Sequence, residues 1–174
     1  MSVSQWDAAA INLYQRFCAG DVTPAEMAVE LPPIWRFRSD RDPLHGPVAW
    51  QAMVEHAGYF CWGREGRRPG RRPRRRHRLF RGAVPQRRQG MSWTTNPAIA
   101  RWFAEHRQVP AEIGLERVWV AVVEPSRVLG YLHHEREFLV DATRSRRSPL
   151  DRLRLRSRRP NPAVDRRLRL LVNR

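Results

Sequence analysis

Through the first third of the chain, apolar residues recur at helical rather than alternating spacing. Trp6, Ala9, Ile11, Leu13 and Phe17 predict a helix over residues 4–17, which Gly20-Asp21 ends. Thr23-Pro24-Ala25-Glu26 is a helix start, with threonine as cap, proline at the first helical position and glutamate in the first turn. Pro32-Pro33 is expected to break that helix. Asp42-Pro43 to Pro47 reads as a turn. Val48, Trp50, Met53, Val54, His56 and Ala57 predict a third helix over residues 48–60.

The period changes after residue 78. Leu79-Phe80 and Met91-Ser92-Trp93-Thr94 read as short strands. Asn96-Pro97 starts a helix that places Ile99, Trp102 and Phe103 on one side. Residues 118–123 are rich in β-branched and aromatic side chains and give the clearest strand, with weaker ones at 127–132 and 138–140. Helices first and strands later predict an α+β fold, with a split, mainly antiparallel sheet after Leu79. Within one domain, residues 1–62 are expected to be the helical part and 79–142 the β-rich core. Between them, residues 63–78 interleave Gly63, Gly66, Gly70, Pro69 and Pro73 with arginines, and predict a flexible cationic loop. Residues 143–174 form a basic tail in which Leu168, Leu170 and Val172 alternate like a last edge strand. No internal repeat is visible.

Charge adds a partner class. The chain has 174 residues and a formal net charge of +16. It contains no lysine, as codon usage in a GC-rich genome would produce, yet the positive field is the same whatever its origin. Nucleic acid, anionic membrane or a phosphate-rich cofactor are the partners such a field favours. Cys18 and Cys61 are too few for a disulfide framework, and neither shows metal-ligand spacing. The start of the chain lacks the basic region and apolar run of a signal peptide, so a cytoplasmic protein with reduced thiols is expected. No stretch has the length of a membrane span.

Three motifs carry candidate chemistry. Arg81 ends a short strand and precedes Gly82. A guanidinium fork matches phosphate oxygens and does not titrate near neutrality, and a glycine beside it admits close approach to the backbone. Ser92 and Thr94 put hydroxyls on the second strand, where they can orient a neighbouring carboxylate. Glu135 and Glu137 stand two apart just before an apolar strand. On extended backbone they would point the same way and divide the labour of stabilising positive charge and activating a nucleophile. Each motif has a plain structural explanation as well: one arginine among many, a strand or cap hydroxyl, a solvated acidic face.

In this order the motifs resemble the mono-ADP-ribosyltransferases of the arginine–serine–glutamate class. The resemblance covers residues 79–141. It includes the aromatic-Arg-Gly start, the Ser-x-Thr strand, and the helix with Ala100 and Phe103-Ala104. It continues through the strand from Val118, Val128-Leu129, and the Glu-x-Glu ahead of Phe138-Leu139-Val140. It implies a transferase-like split β-sheet core, NAD as substrate, no metal, and transfer of ADP-ribose to a macromolecular acceptor. Arg81 would hold the NAD phosphates, and Gly82 would offer its backbone to the nicotinamide amide. Ser92 would position Glu137, and Thr94 would support the wall of the site. Glu137 would bind the nicotinamide ribose and stabilise the oxocarbenium-like state, as glycosidase carboxylates do. Glu135 would deprotonate or orient the acceptor; a glutamate there accompanies arginine acceptors in the family. The nicotinamide-stacking aromatic stays open among Trp102, Phe103, Trp119 and Tyr131, and His133-His134 fall in the expected acceptor loop. Two alternatives stand beside this reading: a non-enzymatic nucleic-acid-binding protein using its arginine-rich segments, and a transferase-like fold that does not turn over.

Overall fold

The structure, a computed structural model, describes residues 2–37, 42–63, 66–68, 70–106, 117–133 and 136–141. Three helices come first. Helix α1 spans Val3–Ala19 and opens on a capping box: Gln5 N–H donates to the Ser2 hydroxyl while Ser2 N–H donates to Gln5 Oε1. It ends on Gly20 at φ 82°, the left-handed conformation that glycine adopts without strain. Helix α2, Pro24–Phe37, opens on the same device built from Thr23 and Glu26. Helix α3 spans Pro47–His56.

The expected break at Pro32-Pro33 does not occur; α2 runs through both prolines. Each proline lacks an N–H and crowds the preceding turn. The helix survives because burial outweighs that cost: Met27, Ala28, Leu31, Pro32, Ile34 and Trp35 all face the core. Arg16 of α1 also forks onto Glu30 of α2 at 2.8 and 3.3 Å.

The strands are β1 Phe60–Gly63, β2 Gly66–Arg68, β3 His77–Ala83, β4 Ser92–Thr94, β5 Arg117–Val123, β6 Val128–Leu132 and β7 Glu137–Val140. Helix α4, Pro97–His106, lies between β4 and β5. Among the described residues the strands form one mixed sheet in the order β2-β1-β6-β7-β4-β3-β5, so the α+β class holds. Only the β1–β6 pairing is parallel there. Two strands fall outside the segment expected to be β-rich. β1 closes the supposedly helical part, and β2 lies inside the supposed loop, folded back on β1 as a hairpin. β1 pairs with β6, far along the chain, and no local pattern announces such a partner. The basic tail lies outside the described residues.

One pairing is very short. β3 and β5 are joined along seven residue pairs, whereas β3 and β4 meet only at Phe80 and Thr94. The sheet therefore has a narrow waist at β3–β4. Its first face carries Phe60, Leu129, Leu132 and Leu139 against the core of α1–α3. On the β3 side of the waist, the same face is covered by α4, which lies on Gly82. The second face clusters Leu79, Ala121 and Val123 of β3 and β5 with Val128, Phe138 and Val140 of β6 and β7. His77 and Phe138 have rings 5.2 Å apart although β4 lies between their strands. Neighbouring strands are about 4.8 Å apart, so that contact requires the sheet to fold over its second face.

Candidate active site around strand β4

The strand order β7-β4-β3 sets the three sequence motifs side by side. β4 carries Ser92 and Thr94, and its neighbours carry Glu137 and Arg81. Contacts on both sides fix this short strand. The Arg81 guanidinium crosses from β3, donating from Nη1 to the Ser92 carbonyl at 2.7 Å and from Nε to the Arg87 carbonyl at 3.1 Å. A Cβ at Gly90 would meet the Arg81 guanidinium. The Trp93 indole donates to the Gly90 carbonyl at 2.7 Å and pins the same loop from within. Arg81 thus holds the segment that leads into β4.

On the other side, Thr94 lies directly opposite Glu137, and Ser92 opposite Leu139. Directly opposed residues share a face, so Ser92, Thr94 and Glu137 all stand on the first face. Thr94, not Ser92, is therefore the hydroxyl residue level with Glu137, and Ser92 is its diagonal neighbour. The Thr94 hydroxyl accepts from Asn96 N–H at 3.1 Å, and Asn96 Oδ1 accepts from Ala98 N–H at 2.9 Å, turning the chain from β4 into α4. By strand alternation Arg81 stands with Leu79 on the second face, and its guanidinium reaches β4 at the waist.

Glu137 is 8% exposed. Its Oε1 accepts from the Trp35 indole N–H at 3.0 Å. Trp35 lies beyond Pro32-Pro33 on α2 and packs edge-on against Trp50 of α3 at 5.4 Å. The far end of the same strand is held by α3. Gln51 donates to Asp141 Oδ1 at 2.8 Å, and Arg127 donates to the Asp141 carbonyl at 2.6 Å. Both ends of β7 are thus tied to helices from the N-terminal part. Neither Trp35 nor Gln51 carries a local sequence signal, because what distinguishes each is a partner far away in the chain.

Glu135 lies outside the described residues, and Arg136 has φ 49°, so β7 begins at Glu137. The space beside Gly82 is taken by the protein itself: a Cβ there would collide with the Ala100 carbonyl and the Ala104 amide of α4. Glycine at 82 first of all lets the helix lie on the strand.

The candidate stacking aromatics separate by position. Trp119 donates to the Ala83 carbonyl at 2.8 Å, and Tyr131 packs on Phe138 at 4.7 Å, both on the second face. Trp102 and Phe103 lie on α4 with rings 5.2 Å apart. Burial lifts the Tyr131 phenol above its ordinary pKa, against the opposing charge of Arg136. His133 is exposed, and His134 lies outside the described residues. Among the described residues, no three His, Cys, Asp or Glu side chains gather as a metal-ligand set, and no helix is long and apolar enough to cross a membrane. No protein-family model, curated protein or solved structure matches the chain.

Proposed function

We propose that the chain is an NAD-dependent mono-ADP-ribosyltransferase with an ADP-ribosyltransferase-like split sheet, parted at the β3–β4 waist. The observation that carries this reading is the placement of Arg81, Ser92/Thr94 and Glu137 on three neighbouring strands, with the Arg81 guanidinium reaching β4 from the second face and Glu137 buried on the first and held by an indole N–H. Arg81 supplies a cation for the NAD phosphates, beside the loop it holds. The Glu137 carboxylate takes a hydrogen bond from the nicotinamide ribose and faces the positive charge that develops as the glycosidic bond breaks. The bonding pair leaves with nicotinamide, which departs neutral. An acceptor lone pair then forms the new bond to the ribose carbon, and Glu135 takes the acceptor's proton. A protein arginine is the acceptor that the family pattern suggests. Trp35 fixes the Glu137 rotamer before substrate arrives.

The burial of Glu137 favours one second reading, a transferase-like fold that binds without turnover. One experiment separates them. Wild-type protein and Glu137→Gln are incubated with labelled NAD and a cell lysate. The proposal expects label on macromolecules with the wild type and none with the variant. Equal labelling, or none from either protein, rejects it.

A further inference from the structure

We infer that residues 70–78 form a docking surface for nucleic acid, a function separate from the NAD site and independent of the transferase reading. This stretch is anchored rather than loose. Gly70 packs on the Cys61 side chain, Pro73 and His77 are half-buried, and the His77 ring lies tilted against Phe138 at 5.2 Å. Between these anchors Arg71, Arg72, Arg74, Arg75 and Arg76 are all exposed, as is Arg78 just past His77. The segment runs from Gly70, beside Cys61 of β1, into β3, with Arg72 by Tyr59 and Arg76 by Glu124, while Arg78, alternating with His77 and Leu79, stands with Phe80 on the first face. Arg76 alone of the six has a described ion pair, with Glu124 at 2.6 Å.

Composition sharpens the partner. Gly66–Arg78 contains only glycine, proline, histidine and arginine, with no acid to neutralise the run. Codon usage exchanges lysine for arginine but does not create a surplus of cations over acids. With no large apolar side chain to enter the acyl boundary, the segment would hold an anionic membrane by charge alone, without the anchoring an amphipathic segment gains. Arginines bind phosphate backbones without sequence preference, and guanidinium and aromatic planes accept unstacked bases. Both features are present: Arg72 lies over Tyr59 at 5.8 Å and Arg78 over Phe80 at 5.5 Å.

The test is fluorescence anisotropy with labelled DNA and RNA single strands of about 20 nucleotides and the matching duplex, at roughly 50 to 200 mM salt. Wild type is compared with Arg71→Ser, Arg72→Ser, Arg74→Ser and Arg75→Ser combined. An equal-charge control carries Arg152→Ser, Arg154→Ser, Arg156→Ser and Arg158→Ser. Four lost phosphate contacts on a single strand should reduce the slope of log affinity against log salt by about 3, and low-salt affinity by at least about tenfold. The tail control should change both by less. Should serine loosen the segment in a melting curve, glutamine at the same four positions gives the same comparison. The inference is overturned if wild type binds no oligonucleotide at low salt, or if the four-site variants bind like wild type. Equal weakening by the tail control overturns it too, as does equally strong binding to phosphatidylserine vesicles or polyglutamate.

Discussion

At the residue scale the bond from Trp35 to Glu137 does most to define the site. A buried carboxylate is costly unless hydrogen bonds satisfy it, and bonds to charged groups contribute about 1.5–3 kcal/mol. Trp35→Phe keeps an aromatic ring but removes the donor. On the proposed reading kcat for nicotinamide release falls about tenfold or more, since each ~1.4 kcal/mol is a decade in rate. KM for NAD changes little, because the lost bond orients the carboxylate rather than holding the dinucleotide. A loss confined to KM, or no loss, would contradict a positioning role. The sequence singled out Glu137 because acidic residues before an apolar strand are conspicuous. It gave no hint of Trp35, whose indole looks like any core residue until α2 is laid against β7. In the sequence Thr94 reads only as a support, and strand register makes it the residue opposite Glu137.

At the element scale, caps and close packing carry the testable consequences. Glu26 accepts from the Thr23 N–H at 2.8 Å and from its hydroxyl at 2.7 Å, and these bonds hold its carboxyl below the ordinary pKa. A lowered folded-state pKa means a contribution that is present at neutral pH and lost as pH falls through the lowered value. Glu26→Gln should therefore flatten the acid limb of the stability–pH curve, and Thr23→Ala should cost about 1 kcal/mol in a denaturant titration. An unchanged acid limb and midpoint would show that the cap contributes nothing. Gly82→Ala should destabilise by about 1–3 kcal/mol, because α4 would have to lift from β3. If the variant melts like wild type, the packing role assigned to Gly82 is wrong.

Elements were legible where the signal was local. The helix starts at Thr23-Pro24 and Asn96-Pro97 and the apolar run at 118–123 all became the expected structures. Pro32-Pro33 misled because tertiary burial of α2 outweighs the local cost of proline. β2 was hidden because Gly66–Arg68 has strand structure without strand composition. Its partner β1 supplies the pairing instead.

At the scale of the whole molecule, a narrow-waisted sheet brings Arg81, Ser92, Thr94 and Glu137 onto adjacent strands, while helices from the N-terminal part tie down both ends of β7. The order of the motifs along the chain was visible in the sequence, but their adjacency depends on long-range pairing. The chain's net charge of +16 favours the approach of anionic ligands. The most direct measurement is nicotinamide release from NAD by purified protein, run beside Glu137→Gln with matched folding and concentration. The proposal predicts steady release by the wild type, reduced by at least about a hundredfold in the variant, a loss of ~2.7 kcal/mol of transition-state stabilisation. Release that is absent from the wild type, or undiminished in the variant, would contradict it.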